Sequence, residues 1–323
     1  MAENERKFTV AMAGATGYAG QVMHALLMHH PCIEPAVIPA RMPDDLSSLW
    51  VDTLAACDAV SLALPDDASR AWASWLHAHG VARTLDLSHT FRQTDGIHYG
   101  VPELFGAPPR DAKLVANPGC YPTATLLVLK PLLDAGLIAS EGIAVLGASG
   151  ASGAGKALAD HLHFCNLSEN FFPYKVGEHR HVPEIERHLG TPISFVTELL
   201  PIVRGMLVTA FVRPLAKVAT LLDALRERYT DHPYVTVLAK PDQGLGVRHV
   251  VGTHQAVIAV GPVERSGVVP VFSSIDNLMK GAASQAVHNL NLWVGLDPYL
   301  GLPAPLSRHP DGVPNMTGAT TWA

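Results

Sequence analysis

One short stretch places a cysteine where its chemistry matters. Cys120 lies in the run Ala-Asn-Pro-Gly-Cys-Tyr-Pro-Thr, residues 116–123, between two prolines that mark turns. The apolar run over residues 124–133 that follows predicts a helix. A thiol near a helix N-terminus feels the positive end of the helix dipole, which favours the nucleophilic thiolate. The alternative is a small buried cysteine, which is what most free cysteines are.

A second group of polar residues covers residues 179–185 and reads His-Arg-His-Val-Pro-Glu-Ile. On a helix His181 and Glu184, three residues apart, share a face, so the carboxylate can fix the tautomer of the imidazole. Together with a cysteine they form an activated-nucleophile arrangement, with these two residues and Cys120 as the catalytic set. The alternatives are a surface ion-pair network or a metal site that includes His161 and His163. We predict no metal, because no further ligands have a recognised spacing.

The N-terminal region has the context that a dinucleotide-binding turn requires. An apolar run over residues 8–13 predicts a buried strand, and residues 21–30 have helical spacing. Between them the glycines follow a GxxGxxG spacing, which permits a tight turn and brings a pyrophosphate to the helix N-terminus. The alternative is a plain strand–helix turn. The residues assigned to the cofactor here are Gly14, Thr16, Gly17, Tyr18, Ala19 and Gly20.

The end of the second predicted strand, residues 33–38, indicates which dinucleotide binds. An NAD site usually carries an acidic residue there, whereas this chain continues Pro-Ala-Arg, and the guanidinium of Arg41 suits a 2′-phosphate. Asp44 and Asp45 lie close enough to leave the choice open. Pro65, after the third strand, lies at the same sheet edge. We predict NADP(H) as the cofactor.

Strands alternate with helices over the first third of the chain, which is typical of an α/β fold with a Rossmann-type doubly wound parallel sheet. The later strands lack crossover helices, which predicts a second α+β domain built on a mostly antiparallel sheet. We expect an NADP-binding domain over residues 1–119, completed by residues 275–323 with a helix over 275–294. Residues 120–274 are then the catalytic, substrate and oligomerisation domain. Predicted strands are residues 8–13, 33–38, 58–64, 84–87, 114–116, 143–146, 208–212, 235–238, 255–260 and 268–273.

Composition excludes several classes of protein. The 323 residues carry a net charge of −6 without a basic block, so we expect no nucleic-acid partner. No apolar run reaches membrane-spanning length, and the polar N-terminus does not look like a signal peptide. The four cysteines have no CxxC spacing, which favours free thiols in a reducing compartment, the cytoplasm.

A dinucleotide, a cysteine at the same sheet edge and a histidine favour one type of chemistry. A thiolate attacks an acyl group, and a nicotinamide transfers hydride to or from the carbonyl carbon, as in an aldehyde dehydrogenase or an acyl-phosphate reductase. One alternative is a Cys-His-Glu hydrolase without a cofactor, against which the glycine turn argues. Another is a non-catalytic dinucleotide sensor, which would bind cofactor without any activity that depends on the cysteine.

Motifs along nearly the whole chain resemble the family of N-acetyl-gamma-glutamyl-phosphate reductases, NADPH-dependent enzymes of arginine biosynthesis. The chain is more distantly similar to aspartate-semialdehyde dehydrogenases. The most specific motif is the cysteine signature over residues 116–123. The other matching stretches are residues 14–20, 149–156, 174–177, 179–185, 204–206 and 275–283.

The resemblance implies roles for individual residues and an assembly. Cys120 corresponds to the nucleophile, His181 to the acid/base and Glu184 to the residue behind it. The implied substrate contacts are Arg92, His179 and Arg180, and the implied contacts to the nicotinamide end are Ser152, Gly153 and Asn277. Asn117, Lys156 and Arg204, in the matched motifs, complete the predicted substrate set. The family forms dimers or tetramers, so we expect a homodimer or homotetramer.

The predicted substrate is an N-acylated glutamyl phosphate, with phosphate as co-product. A chain of net charge −6 has to offset the charges of an acyl phosphate locally, and the basic residues assigned to this role are Arg92, Lys156, Arg180 and Arg204. Arg92 and Arg204 are equally consistent with structural ion pairs. Where the family commonly reads Ser-Ala-Asp-Phe-Arg, this chain has His89 and Thr90. A sister enzyme of lysine biosynthesis acts on a carrier-linked aminoadipyl phosphate. Sequence alone poorly distinguishes that enzyme from an N-acetyl-gamma-glutamyl-phosphate reductase.

Overall fold

The computed structural model describes residues 7–42, 48–81 and 83–306 and divides into two compact units. The first unit contains the described residues up to Gly119 together with Ala282–Leu302. The second begins at Cys120 and continues to Gly281. Asp44, Asp45 and the C-terminal residues 307–323 lie outside the described residues.

The first unit is built on a parallel sheet. Its described strands are β1 (Phe8–Ala13), β2 (Ile33–Ile38), β3 (Ala59–Leu62), β4 (Thr84–Asp86), β5 (His98–Tyr99) and β6 (Leu114–Ala116). Within the described residues their order is β2-β1-β3-β4-β6-β5, and every pair of neighbours is parallel. Its helices are α1 (Tyr18–Met28), α2 (Ser48–Ala55), α3 (Asp66–Ala78), α4 (Pro102–Phe105) and, late in the chain, α9 (Ser284–Val294).

Both faces of this sheet are covered, which explains why β1 is a continuous apolar run. Val10 and Met12 point into a core shared with residues of α1 and α9, among them Trp293. Ala11 and Ala13 point the other way, into a core that includes Trp72 of α3. A strand buried on both faces has no polar side to present, and helices on both faces make the sheet doubly wound. The predicted fold class is confirmed.

The second unit is built on a mixed sheet. Its described strands are β7 (Ala144–Gly150), β8 (Phe172–Tyr174), β9 (Ser194–Leu200), β10 (Met206–Val212), β11 (Val235–Val237), β12 (Ala256–Val260) and β13 (Val269–Ile275). In the part of the chain that the structure describes, the order is β11-β12-β13-β10-β7-β9-β8. Two pairs, β11–β12 and β7–β9, are parallel, and the other pairs are antiparallel. The helices are α5 (Cys120–Asp134), α6 (Phe164–Leu167), α7 (His181–Leu189) and α8 (Val218–Arg228).

The helix after the cysteine begins earlier than the sequence predicted. We expected it over residues 124–133, yet α5 starts at Cys120 itself. Pro122 does not prevent this, because a proline in the first turn lacks only an N–H that has no helical partner anyway. Most of α5 is buried, and it packs against α7, α8, β10 and β13. Cys120 therefore belongs to the first turn of a rigid helix.

The strand predicted over residues 143–146 ends too early, because β7 continues through Gly150 in a stretch of small residues. The glycines there make room for other parts of the protein. A Cβ at Gly147 would lie 2.4 Å from the ring of Tyr121, and one at Gly150 would lie 2.7 Å from the backbone nitrogen of Arg204. Packing thus accounts for the small residues at the start of this stretch.

The predicted helix over residues 275–294 was wrong in its first part. Strand β13 ends at Ile275, and the carboxylate of Asp276 accepts the backbone N–H groups of Leu278 and Met279. A side chain that takes up these N–H groups competes with helix formation. A short π-helical segment, Met279–Ala283, follows, and α9 begins only at Ser284. None of the helices in the described residues is long and apolar enough to cross a membrane.

Candidate active site

The nucleophile candidate, Cys120, is the first residue of α5 and is partly buried. Its thiol therefore lies where the unpaired N–H groups of the helix are concentrated. The segment that follows β13 packs directly against it, because a Cβ at Gly281 would lie 2.6 Å from the Cβ of Cys120. Burial is the main cause that raises the pKa values of Tyr121 and Tyr174, and a negative charge on the Cys120 sulfur raises them further. Cys120 is thus closely packed against Gly281 at the start of α5.

Helix α7 begins at His181 and presents His181, Glu184, Ile185 and Leu189 on its buried side. Glu184 is fully buried, and a ring nitrogen of His181 lies within 4.8 Å of a carboxylate oxygen of Glu184. The three-residue spacing therefore brings the imidazole and the carboxylate together on one helix face, as the sequence predicted. A buried carboxylate at this distance favours a fixed orientation of the imidazole.

The neighbouring histidine has a different environment. The Nδ1 atom of His179 accepts a hydrogen bond from the backbone N–H of His181 at 3.3 Å, so this ring caps the start of α7. Burial, then the positive charges of Lys175 and Arg180, lower the pKa of His179 to about 4. A histidine that is neutral at physiological pH and holds a helix N-terminus is a poor proton donor. The geometry therefore favours His181 as the acid/base.

Two tyrosines, for which the sequence predicted no role, lie close to these histidines. The hydroxyl of Tyr121 donates to the Gly147 carbonyl at 3.2 Å and lies 3.3 Å from the hydroxyl of Tyr174. Burial is the main cause that raises the pKa of both phenols, to about 12 for Tyr174. Both therefore stay neutral and available as hydrogen-bond partners. The signal was present in the sequence, since both lie in matched motifs and buried tyrosines need a partner for the hydroxyl.

Of the predicted basic residues in the second unit, Arg204 has the geometry that best suits binding of an anion. Its Nε atom lies 3.1 Å from Oδ2 of the fully buried Asp276. Asp276 also accepts the backbone N–H of Gly252 at 2.7 Å, so several donors offset its charge. The Nη2 atom of Arg204 is buried and has no hydrogen-bond partner among the described residues. That nitrogen suits an anionic ligand, whereas Lys156 and Arg180 are exposed side chains. Asp276, which orients Arg204, was missed as a functional candidate.

The residues assigned to the nicotinamide end form one small network. The side-chain Nδ2 of Asn277 donates to the Ser152 hydroxyl at 2.9 Å, and its Oδ1 accepts the Gly205 N–H at 2.7 Å. Gly153 follows Ser152 in a short 3-10 turn, Ala151–Ala154. The contact of these three residues with a nicotinamide stays a prediction.

In the first unit, the glycine turn fits a bound pyrophosphate. Gly14 has a φ of +86°, and a Cβ there would lie 2.2 Å from the Ala63 carbonyl oxygen. A Cβ at Gly20 would lie 2.1 Å from the Gly14 carbonyl oxygen. A Cβ at Gly17 would meet nothing closer than 3.7 Å. Gly14 and Gly20 are therefore needed by the fold, whereas a side chain at Gly17 would only occupy the open space before helix α1.

A cavity of about 440 Å³ lies where the cofactor's adenosine is expected, beyond the ends of β2 and β3. Its lining includes Arg41, Pro65, Ala68 and Trp72. In open parallel sheets, ligands bind outside the carboxyl ends of the strands. Arg41 and Pro65 thus line one cavity at this edge of the sheet. Their contact with a cofactor stays a prediction.

The two predicted substrate residues of the first unit are both tied to the protein. Asn117 is fully buried; its Nδ2 donates to the Ala282 carbonyl at 3.1 Å and its Oδ1 accepts from Asn289 at 3.1 Å. Arg92 is buried and donates from Nη2 to the Leu87 carbonyl at 2.6 Å. These bonds give both residues a structural role, and their contact with substrate stays a prediction.

The loop that carries Arg92 is organised by a buried carboxylate that the sequence analysis did not single out. Asp86 accepts hydrogen bonds from the hydroxyls of Ser69 and Ser88. Burial raises the pKa of Asp86, and these hydrogen bonds oppose that shift. The departures from the family pattern fit this loop, since Thr90 donates to the backbone carbonyl of Asp66 at 2.9 Å.

Comparison with known proteins decides between the chemistries that this geometry allows. Residues 9–111 match the family model "Semialdehyde dehydrogenase, NAD binding domain", and residues 120–277 match "Semialdehyde dehydrogenase, dimerisation domain". The N-acetyl-gamma-glutamyl-phosphate reductase of Geobacillus thermodenitrificans is 37% identical over 91% of this chain and 97% of its own. That of Desulforudis audaxviator is 38% identical over 92% of this chain and 98% of its own. The chain belongs to the N-acetyl-gamma-glutamyl-phosphate reductase family.

Solved structures agree with the fold of this reductase family. Aspartate semialdehyde dehydrogenase II from Vibrio cholerae aligns with a TM-score of 0.71 at 20% identity, over 90% of this chain and 99% of its own. Aspartate semialdehyde dehydrogenase from Candida albicans, crystallised with NADP, aligns with a TM-score of 0.64 at 15% identity, over 88% of this chain and 98% of its own. Both show the shared fold. Family membership confirms the predicted resemblance and argues against the hydrolase and sensor alternatives.

Proposed function

We propose that this chain reduces N-acetyl-gamma-glutamyl phosphate to N-acetylglutamate 5-semialdehyde and phosphate with NADPH, a step of arginine biosynthesis in the cytoplasm. One observation carries the proposal: a relative of that name is 37% identical over 91% of the chain and 97% of its own length. Three features of the chain support it: Cys120 begins α5, His181 and Glu184 share one face of α7, and Arg204 has a buried Nη2.

In the proposed reaction His181 takes the proton of the Cys120 thiol, and the thiolate attacks the acyl carbon. The bond from that carbon to the phosphate oxygen breaks, a thioester forms at Cys120, and His181 gives its proton to the departing phosphate. NADPH, when bound, supplies the hydride that reduces the thioester carbonyl. The carbon–sulfur bond then breaks to release the aldehyde and return the thiolate.

The surrounding residues place the substrate and hold the acid/base. Glu184 keeps the ring of His181 oriented and stabilises its protonated form. Arg204, held by Asp276, offers Nη2 to an anionic group of the substrate. The remaining proposed substrate contacts are Arg92, Asn117, Lys156, His179 and Arg180. Placing the carbonyl close to the sulfur is the main contribution of the protein, because an acyl phosphate is already activated.

For the cofactor, we propose NADP bound by the glycine turn, with Arg41 on the 2′-phosphate and Pro65 beside the adenosine. The open space at Gly17 and the cavity that Arg41 and Pro65 line support this. Ser152, Gly153 and Asn277 would then contact the nicotinamide end.

We also propose a homodimer or homotetramer, which light scattering coupled to size-exclusion chromatography would measure directly. The match of residues 120–277 to a dimerisation domain supports an oligomer.

The test is a competition in the reverse direction, with phosphate and NADP, among three semialdehydes. N-acetylglutamate semialdehyde should be oxidised with the highest kcat/KM. Preference for aspartate semialdehyde would contradict the substrate assignment and leave the mechanism at Cys120 intact. Preference for a carrier-linked aminoadipate semialdehyde would assign the chain to lysine biosynthesis instead. Omission of phosphate should stop NADP reduction in each case.

A further inference from the structure

The residue that follows the proposed nucleophile is fixed at both its ring and its hydroxyl. Tyr121 is the second residue of α5 and is 1% exposed. Its hydroxyl is fixed by the Gly147 carbonyl and the Tyr174 hydroxyl. Its ring lies so close to β7 that a Cβ at Gly147 would be 2.4 Å from a ring carbon. Both the ring and the hydroxyl of Tyr121 therefore have one defined position.

The same ring contacts both histidines of the site. Its centroid lies 5.3 Å from the ring centroid of His179 with an interplanar angle of 88°, and 5.9 Å from that of His181 at 64°. The two imidazoles lie 5.0 Å apart, and His179 accepts the backbone N–H of His181. Edge-to-face contacts of this kind favour particular ring orientations. One tyrosine thus links the first turn of α5 to the first turn of α7.

We propose that Tyr121 is a positioning residue, whose ring sets the place of the His179 and His181 imidazoles relative to the thiol of Cys120. The inference rests on the proposed roles of Cys120 and His181. It assigns no chemistry to Tyr121 itself. Burial keeps the phenol protonated, because it raises the pKa of Tyr121 well above its usual value. The hydroxyl therefore keeps its hydrogen-bond anchor at any pH at which the enzyme works.

A buried tyrosine that only packs in the core would share the burial and the hydroxyl hydrogen bond of Tyr121, but not its ring contacts with the two histidines. Tyr229 provides that comparison within the same unit. It is 4% exposed, and its hydroxyl donates to the Leu127 carbonyl of α5 at 2.6 Å. Its described ring contact is with His232, outside the candidate site. Tyr229 thus resembles Tyr121 in burial and in its hydrogen bond to the protein, whereas the described ring contacts to His179 and His181 are those of Tyr121.

The test compares Tyr121→Leu and Tyr121→Phe with Tyr229→Leu and Tyr229→Phe. Loss of the ring at Tyr121 should lower kcat by about 100-fold, the cost of a small misplacement of reacting groups. The KM for NADP should stay unchanged, and the pH profile of kcat/KM should shift. Tyr121→Phe keeps the ring, so the loss should be about three- to tenfold, as for one hydrogen bond. The Tyr229 variants should lose thermal stability and leave the pH profile unchanged.

Gly147→Ala approaches the same ring from β7, without changing a residue of the site. The added methyl group must displace the Tyr121 ring, so this variant should reproduce the shifted pH profile. Histidine side-chain NMR spectra, which need no substrate, should show changed signals for His179 in Tyr121→Leu and unchanged ones in Tyr229→Leu. This readout separates the proposal from the assignment of the substrate, which the wild-type assay judges alone.

The proposal is overturned if Tyr121→Leu has the kcat, pH profile and His179 signals of the Tyr229→Leu control. It is also overturned if Tyr121→Phe, the variant least disturbing to the fold, loses as much activity as Tyr121→Leu while its histidine signals are those of the wild type. The hydroxyl, and not the ring, would then be the important group. If Tyr121→Leu does not fold, Gly147→Ala and Tyr121→Phe decide by the same two readouts.

Discussion

Two regions of this chain are rich in glycine, and they differ in whether the space beside one of the glycines is left open. In the turn over residues 14–20, the space in front of α1 at Gly17 is open. Around Cys120, the space at Gly147, Gly150 and Gly281 is filled by Tyr121, Arg204 and Cys120 itself. The first region admits a ligand close to the backbone. The second lets the Tyr121 ring, the Arg204 backbone and Cys120 pack directly against the glycines. A glycine motif alone therefore does not indicate a ligand site. Open space beside one of its glycines does.

In the region around Cys120, the largest loss of activity should follow replacement of the proposed acid/base, His181. His181→Asn should lower kcat by about 10²–10⁴-fold, the usual contribution of a general acid/base, and abolish the corresponding limb of the pH–rate profile. Glu184→Gln should lower kcat less, since it orients the ring without replacing it. The measurement is kcat/KM against pH for both variants, with Glu186→Gln on the same helix as the control. A His181→Asn enzyme with wild-type rate and pH profile would transfer the role to another residue, with His179 the next candidate.

The pH dependence of the free energy of unfolding tests the buried environment of His179, which lies in the same region. Its pKa is about 4 in the folded protein, against 6.5 unfolded, so the folded state binds fewer protons. Stability from this group is complete above about pH 6.5 and is lost as the pH falls through about 4, by an amount on the order of 3 kcal/mol. His179→Asn keeps a side-chain acceptor for the helix. This variant should flatten the fall in unfolding free energy between pH 6.5 and 4, measured by urea titration. A curve parallel to the wild type would show that His179 is not the buried neutral group described here.

The open region is tested by a matched pair of substitutions. Gly17→Ala should weaken NADP binding by about tenfold or more with an unchanged melting temperature, because the methyl group occupies the space in which a pyrophosphate approaches the backbone. Gly14→Ala should lower the melting temperature even without cofactor, since φ is +86° and the Ala63 carbonyl lies in the way. Calorimetric titration and thermal unfolding measure both quantities. Equal loss of stability in the two variants would mean that the space at Gly17 is not reserved for a ligand.

Arg41 sharpens the same comparison at the other end of the cofactor. Arg41→Ala should weaken NADP binding by about tenfold, the value of a hydrogen bond to a charged group, and leave NAD binding nearly unchanged. Arg70→Ala, on the surface of α3, is the control. Affinities for the two dinucleotides, measured side by side, give the answer. An equal loss for NAD and NADP would remove Arg41 from the 2′-phosphate.

The first unit could be predicted closely because its signals are local. Strands β1, β2 and β6 have the predicted bounds, since each is a buried run that ends at a turn. The second unit could be predicted only in part. Strands β10 to β13 lie within two residues of their predicted bounds, but β8 and β9 were not predicted, and the strand predicted over residues 143–146 ends four residues before β7 does. Its sheet joins segments far apart in the chain, so pairing partners rather than local pattern decide where each strand ends.

The candidate site divides in the same way. The spacing of His181 and Glu184 was sufficient to predict their common face, because both lie on one helix. Tyr121 and Asp276 were missed, because their roles depend on distant partners, the Gly147 carbonyl and the guanidinium of Arg204. The helix start at Cys120 was also missed, since helix termini depend on packing as much as on composition. Sequence therefore identified the chemistry, and the structure supplied the residues that position it.

The central claim is a covalent thioester at Cys120, and single-turnover kinetics without NADPH test it most directly. Mixed with the acyl phosphate, the enzyme should release one phosphate per active site in a burst, and intact-protein mass spectrometry should show one added acyl group. Peptide mapping should place that group on Cys120. Cys120→Ala should show neither burst nor adduct and still bind NADP, and Cys165→Ala, at an exposed cysteine, should behave as wild type. A phosphate burst or acyl adduct that persists in Cys120→Ala would contradict the account.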